Sequence, residues 1–340
     1  MAKIVTFGEI MLRLAPYHYE RLIQADRFQA TYGGGEANVA VSLSAFGHTV
    51  YYVTRLPENP LGDAAENALR RFGVHTDFIL RGGERLGIYF LEHGASIRPS
   101  RVVYDRAHSA VSELQPGMVL WEKVFAGKDW FHITGITPAL SPSCAEVALE
   151  SVRKAKELGL TVSCDLNYRK KLWTPEEAQR LMSRLVEFVD VVIGNEEDAE
   201  KVFGIREEGV NVEKGHLDIE KYKKVARRLA ERSGAKRVAI TLRESLSASD
   251  NNWSALFLDD SSFYVSRKYA LHLVDRVGGG DSFAAGLIHG LVSGWEAQQA
   301  LEFAVAASAL KQTIPGDMNL VSEAEVMSIV RGNLSGRVQR

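Results

Sequence analysis

The sequence predicts an α/β protein, with a mainly parallel β-sheet covered by helices on both faces and a small second sheet projecting from it. Two observations carry the main sheet. β-rich runs alternate with helix-length runs through most of the 340 residues, the pattern of successive βαβ units. Composition is that of an ordinary globular chain, 46% hydrophobic and 25% charged. The small sheet comes from two segments that break the rhythm, Ile10 to Tyr32 and Leu86 to Tyr104, which are strand-like with no helical period between strands.

The elements follow in order. KIVTFG is a first strand, and Glu36 to Gly47 carries apolar residues at helical spacing and stops at a glycine. TVYYVTRL is a strand. Pro60 to Gly73 is a helix with proline at its start and glycine at its end. Then come WFHITG, a helix over Ala145 to Leu158, LTVSCDL, a helix over Pro175 to Val186, VDVVIGN and a helix from Asn195. Beyond a charged, loop-like stretch, Asp218 to Ser233 reads as helix and RVAITL as strand. Long helices over Gly280 to Ser293 and Ala297 to Thr313 fill the C-terminal third. In the irregular segments, LGIYFLEHG and RVVYD read as an antiparallel pair. Together, about residues 10–32 and 86–105 form a lid on a single domain spanning 1–340, unless they are a plain edge extension.

Several function classes are set aside. A formal net charge of −2 gives no electrostatic case for nucleic acid or an anionic membrane. No apolar run has the length of a membrane span, and MAKIVTFGEI reads as a strand rather than a signal peptide. Cys144 and Cys164 form neither a C-x-x-C pair nor a disulfide framework, which suits reduced thiols in a cytoplasmic protein. No histidines stand at metal-ligand spacing.

The chemistry concentrates in DRVGGGDSFAAG, Asp275 to Gly286. Glycines let the backbone approach a ligand and turn its N–H groups toward it. The first turn of the following helix adds unsatisfied donors and the positive end of the helix dipole. Together they make an anion site. It is neither a P-loop, which would need Lys-Ser/Thr, nor a dinucleotide fingerprint. Asp281 then has two readings. It complements the helix N-terminus, or it takes a proton from a hydroxyl while adjacent amides hold the transferred charge. Gly278, Ser282, Gly286, Gly290 and Gly294 recur every four residues, a stripe expected to pack on Ala304 to Ala309.

With YGGGEANVAVSLSAFG, Tyr32 to Gly47, at the other end of the chain, the late G-G-G-D resembles the two signatures of the ribokinase-like (PfkB) carbohydrate kinases. The resemblance covers nearly the whole chain. It implies a Rossmann-like three-layer α/β/α fold with a β-sheet lid, and ATP and Mg²⁺ as cofactors. It makes Asp281 the catalytic base and the Gly278, Gly279 and Gly280 amides an anion hole. It places Gly34, Gly35 and Asn38 at the sugar, and Asn167, Asn195 and Thr241 with Gly278 and Gly280 on the ATP side. The family's N-x-x-E motif, which organises Mg²⁺ partly through water, reads NEED here. Asp198 is one methylene short, so Glu196 shares the indirect metal role; an acid-rich helix start explains NEED equally well. A monovalent-cation site near Asp275 is a further expectation.

Three positions depart from the family pattern. Arg276 stands where a small or hydroxylated residue is usual, and TLRESLSA after Thr241 lacks the usual glycine. Arg13 stands where the sugar kinases commonly place an aspartate that grips hydroxyls, and an arginine suits a carboxylate better. GIYFLE with Tyr89, YDR with Tyr104 and Arg106, DLNYR with Arg169, and the tail NLVSEAEV resemble the 2-keto-3-deoxygluconate kinases within the family. That implies ATP-dependent phosphorylation of the 6-hydroxyl of this sugar acid, with the arginines at its carboxylate. Other readings are a kinase for fructose, ribose or another deoxy-keto acid, and a non-catalytic nucleotide- or sugar-binding sensor. An intact Asp281 argues against the sensor. An NAD-dependent dehydrogenase would need a glycine fingerprint after the first strand, where GEIMLR offers only Gly8. Lid edges that pair would make a homodimer or higher homo-oligomer.

Overall fold

A computed structural model describes residues 1–205 and 218–334, with the backbone but not the side chain of Glu196. The charged stretch before Asp218 and the end of the C-terminal tail lie outside the described residues. From edge to edge, the large sheet begins with His75–Arg81, Thr49–Leu56, Lys3–Phe7, Trp130–Thr134 and Thr161–Asp165. It continues through Val191–Gly194, Arg237–Ser245, Asp250–Asp259 and Ser262–Val265, with Tyr269–His272 also pairing on Asp250–Asp259. Every pairing from His75–Arg81 to Arg237–Ser245 is parallel, and those beyond are antiparallel. The parallel strands read as nearly continuous apolar runs because helices cover both their faces.

The two faces bury separate cores. One packs Gly35–Ala45, Gly279–Val292 and Ala297–Lys311 on the sheet. The other packs Pro142–Glu157, Pro175–Leu185 and Ile219–Ser233. This is the three-layer α/β/α arrangement the sequence predicts. Helix starts follow from local chemistry. Thr174 and Glu177 form a capping box ahead of Pro175, Asn59 accepts from Leu61 and Gly62 N–H, and Ser141 caps Pro142–Glu157. No described helix is long and apolar enough to cross a membrane.

The second sheet is built as the irregular segments indicate. Its order is Gln29–Gly33, Met11–Ala15, Ile88–Glu92 and Arg101–Asp105. Ile88–Glu92 and Arg101–Asp105 pair antiparallel, as expected, while the central pairing of Met11–Ala15 with Ile88–Glu92 is parallel. The antiparallel edge of the large sheet is not evident in the sequence.

The small-residue stripe packs only in part as expected. A Cβ on Gly286 would lie 2.7 Å from Ala304 Cα, whereas one on Gly290 would lie 2.7 Å from Ala300 Cα, one turn before the expected alanines. Gly294 has nothing within 4 Å and ends the helix at φ 73°. Ser282 instead accepts a hydrogen bond from Asn319 Nδ2 at 2.8 Å. Gly286→Val is expected to overpack this helix contact and destabilise the fold by about 1–3 kcal/mol, read as a lower urea midpoint at unchanged slope.

Candidate active site

A cleft of about 390 Å³ opens at the C-terminal ends of the parallel strands, between the large sheet and the small one. Ligands gather at that edge in open α/β sheets. Both glycine signatures line it, one from each end of the chain.

The turn Asp275–Asp281 enters the helix Gly279–Val292 through Gly278, its N-cap, at φ 81°. A side chain here would be strained by that left-handed φ and would strike Asp317 O, 1.9 Å from an added Cβ. Around Gly280 nothing lies within 4 Å of an added Cβ, so this glycine leaves open space. Of the three amides expected to hold an anion, one is engaged within the turn. Gly279 N–H donates to Arg276 O at 3.3 Å, while the Gly280 and Asp281 amides have no protein acceptor among the described residues. The Gly278 amide likewise has no protein acceptor among the described residues, so the free donors are those of Gly278, Gly280 and Asp281.

Asp281 Oδ2 accepts a hydrogen bond from Asn38 Nδ2 at 2.7 Å, and Asn38 Oδ1 accepts from Gly34 N–H at 3.3 Å. Asn38 thus clamps the first signature onto the second and aims the carboxylate. Burial pushes the Asp281 carboxyl up to about 6, against the Asn38 hydrogen bond. Gly35 faces the same group, an added Cβ lying 3.8 Å from Asp281 Oδ1.

The strand ends supply the opposite wall. Asn167 follows Thr161–Asp165 in the left-handed region at φ 39°, its N–H donating to Asp165 Oδ1 at 3.2 Å. Asn195 and Asp198 form a capping box, each side chain accepting the other's amide at 3.0 Å, and Asp198 Oδ1 also accepts from Tyr168 N–H at 2.8 Å. Burial raises Asp198 to about 6 and Asp165 well above the carboxylate range, with Asp198 and Asp281 adding to the latter. Thr241 also lines the cleft. The Glu196 side chain lies outside the described residues.

Of the small sheet's residues, Tyr89, Tyr104 and Arg106 line the cleft as expected, and Arg169 joins them from the exposed turn after Thr161–Asp165. Tyr89 donates a hydrogen bond from its hydroxyl to Asp317, leaving oxygen lone pairs and ring for a ligand. Arg106 pairs through one nitrogen with buried Glu9, lies over the Tyr104 ring at 5.3 Å, and has no partner at its buried Nε. Arg169 donates only to Tyr168 O, at 3.2 Å, and makes no ion pair among the described residues.

Arg13 corrects the sequence reading. Its guanidinium is buried and satisfied by the protein's own carboxylates, at 2.6 Å to Asp317 and 2.5 Å to Asp275, and it does not line the cleft. Burial opposes its charge, but the two aspartates outweigh that and hold it protonated. Sequence reasoning also missed Glu36, Asp317 and Arg243. Glu36 is fully enclosed and takes Thr134 N–H, Thr134 Oγ1 and Thr137 Oγ1 on one oxygen, and burial raises it to about 7. Its place in GGGEAN was the available signal. Arg243 and Arg276 both line the cleft, and burial followed by the Arg243 charge lowers the Arg276 pKa. Arg276 also donates to Ala248 O at 3.3 Å.

A three-layer α/β domain with a second sheet across its ligand edge, and an enclosed carboxylate beside free helix-start amides, defines a small-molecule phosphotransferase architecture. The chain belongs to the pfkB family of carbohydrate kinases, whose model matches residues 1–324. It is 52% identical to the crystal structure of a 2-dehydro-3-deoxygluconokinase from Thermotoga maritima, with TM-score 0.94, covering 98% of this chain and 100% of that one. A 2-dehydro-3-deoxygalactonokinase of Haloferax volcanii is 32% identical, covering 98% of both chains. A 2-dehydro-3-deoxygluconokinase of Bacillus subtilis is 28% identical, covering 93% of this chain and 91% of that one. The protein is a sugar kinase.

Arg13→Ala is expected to leave Asp275 and Asp317 buried without their counter-charge and to cost about 3–5 kcal/mol in denaturant unfolding. Turnover should fall with every acceptor; a loss confined to acidic acceptors at unchanged stability would return Arg13 to the substrate.

Proposed function

We propose that the protein transfers the γ-phosphoryl group of ATP to the 6-hydroxyl of 2-keto-3-deoxygluconate. The observation that carries the acid reading is the pair of guanidinium groups on the cleft, Arg169 without an ion pair and Arg106 with an unpartnered Nε. A buried donor left unpaired is costly, and a carboxylate satisfies planar donors two at a time. Relatives named for 2-dehydro-3-deoxy sugar acids support the same class.

Asp281 accepts the proton of the 6-hydroxyl as its oxygen bonds to the γ-phosphorus and the bond to the β-phosphate oxygen breaks, releasing ADP. The Gly280 and Asp281 amides and the helix dipole stabilise charge on the transferred group. Asn38 keeps the base aimed, and the small sheet excludes water. Asn167, Asn195 and Thr241 lie on the nucleotide side, as do Arg243 and Arg276, whose charges suit phosphates. A Mg²⁺ ion bound with ATP supplies charge neutralisation on the phosphates. The chain fits an ion carried by the nucleotide. No group of three or more acidic, histidine or cysteine residues forms a metal cage among the described residues, yet Asp165 and Asp198 are buried carboxylates on the cleft. Each Asp198 oxygen already accepts an amide, which suits contact through water.

A second reading, the epimeric 2-keto-3-deoxygalactonate, is favoured by the Haloferax relative. In a coupled ADP-release assay, both keto-deoxy acids are expected to outperform fructose and ribose by orders of magnitude in kcat/KM; preference for a neutral sugar would sink the acid reading. Asp281→Asn should lower kcat about 10²–10⁴-fold while ATP binding persists. Because the carboxylate is the active form, wild-type kcat/KM should rise with pH through about 6.

A further inference from the structure

Beneath the glycine turn lies a buried cation that the phosphoryl-transfer scheme does not use. Lys311, at the end of Ala297–Lys311, is 0% exposed. Its Nζ donates to two main-chain carbonyls, Asp275 O at 3.1 Å and Ile314 O at 3.2 Å. Its stem passes directly under the N-cap, since a Cβ on Gly278 would lie 3.2 Å from Lys311 Cε. Lysines are almost never fully buried unless paired. Here the pairing holds both ends of the phosphate turn's support: Asp275 opens the turn, and Ile314 leads into Gly316, whose N–H donates to Asp275 Oδ2 at 3.0 Å.

Converging carbonyls beside an aspartate are what a monovalent cation near Asp275 would need, but the residues present do not fit one. The ammonium already occupies the carbonyls of Asp275 and Ile314. The Asp275 carboxylate is taken by the Val277 amide on one oxygen, and by Arg13 and the Gly316 amide on the other.

We propose that Lys311 is a tethered monovalent cation: its ammonium locks the Asp275 and Ile314 carbonyls, holds the Gly278–Asp281 amides in place for the phosphoryl group, and removes any need for free potassium or sodium. Lys311 is a positioning residue, acting through the turn. An ammonium on a stem carries the same unit charge as a free ion and cannot dissociate. The kinetic arm of the test rests on the kinase reading; the melting arm does not.

Wild type, Lys311→Ala and Lys311→Met are assayed in tetramethylammonium chloride and in potassium chloride at one ionic strength, with melting temperature read on the same samples. The wild type is expected to show the same turnover and melting in both salts. Lys311→Ala should lose about 10²-fold in kcat without potassium, as a misplaced transition-state donor does. Potassium should restore much of that loss and raise its melting temperature. Lys311→Met, whose stem fills the space, should lose turnover without being restored. Several-fold activation of the wild type by potassium would overturn the proposal. So would full turnover of Lys311→Ala without potassium, or a loss that potassium changes in neither rate nor melting, which would leave Lys311 a packing residue. Should Lys311→Ala fold in neither salt, the wild-type series and Lys311→Met decide. If no acceptor is turned over by wild type, the kinase reading fails, and the melting response of Lys311→Ala against wild type alone decides on the tethered cation.

Discussion

Two buried carboxylates, Asp275 and Asp317, stand behind the glycine turn, answered by the buried Arg13 guanidinium, with the buried Lys311 ammonium beside them on the Asp275 carbonyl. Charges removed from water are tolerated only when paired and hydrogen-bonded. Here the pairing spans every part that the site needs. Arg13 comes from the central strand of the small sheet, Asp275 from the head of the glycine turn, and Asp317 from the loop after the last long helix. Tyr89, on the neighbouring small-sheet strand, adds its hydroxyl to Asp317. The small sheet is therefore not merely laid over the cleft; its root is ionically bolted to the glycine turn.

The cleft itself has the opposite character. Asp165, Asp198 and Asp281 lose solvation together, and all three carboxyl groups move upward. Such a wall is uncomfortable when fully ionised and is relieved by a ligand bringing positive charge. Among the three, Asp281 alone has Asn38 donating to it, which sets its surroundings apart from those of Asp165 and Asp198.

Much of this was legible in sequence because it depends on local chemistry. A proline at the start and a glycine at the end marked the helix Pro60–Arg70, and β-rich runs alternating with helix-length runs marked the parallel strands. The two glycine runs announced a site because few other residues could make those turns. What stayed hidden depends on partners far along the chain. Arg13 looked like a ligand for an acid because its true acceptor, Asp317, is 304 residues away. Nothing in the neighbours of Lys311 foretold that the chain would wrap two carbonyls around it. The antiparallel strands from Asp250 to His272 were missed because they interrupt the strand–helix alternation that guided the reading.

The hydrogen bond from Asn38 to Asp281 joins residues 243 positions apart. During synthesis the first signature leaves the ribosome long before the second exists, so no partial chain can form this contact. An unfinished molecule lacks the hydrogen bond that joins the two signatures across the cleft. Catalytic competence thus arrives with the last third of the chain, in one step with closure of the fold.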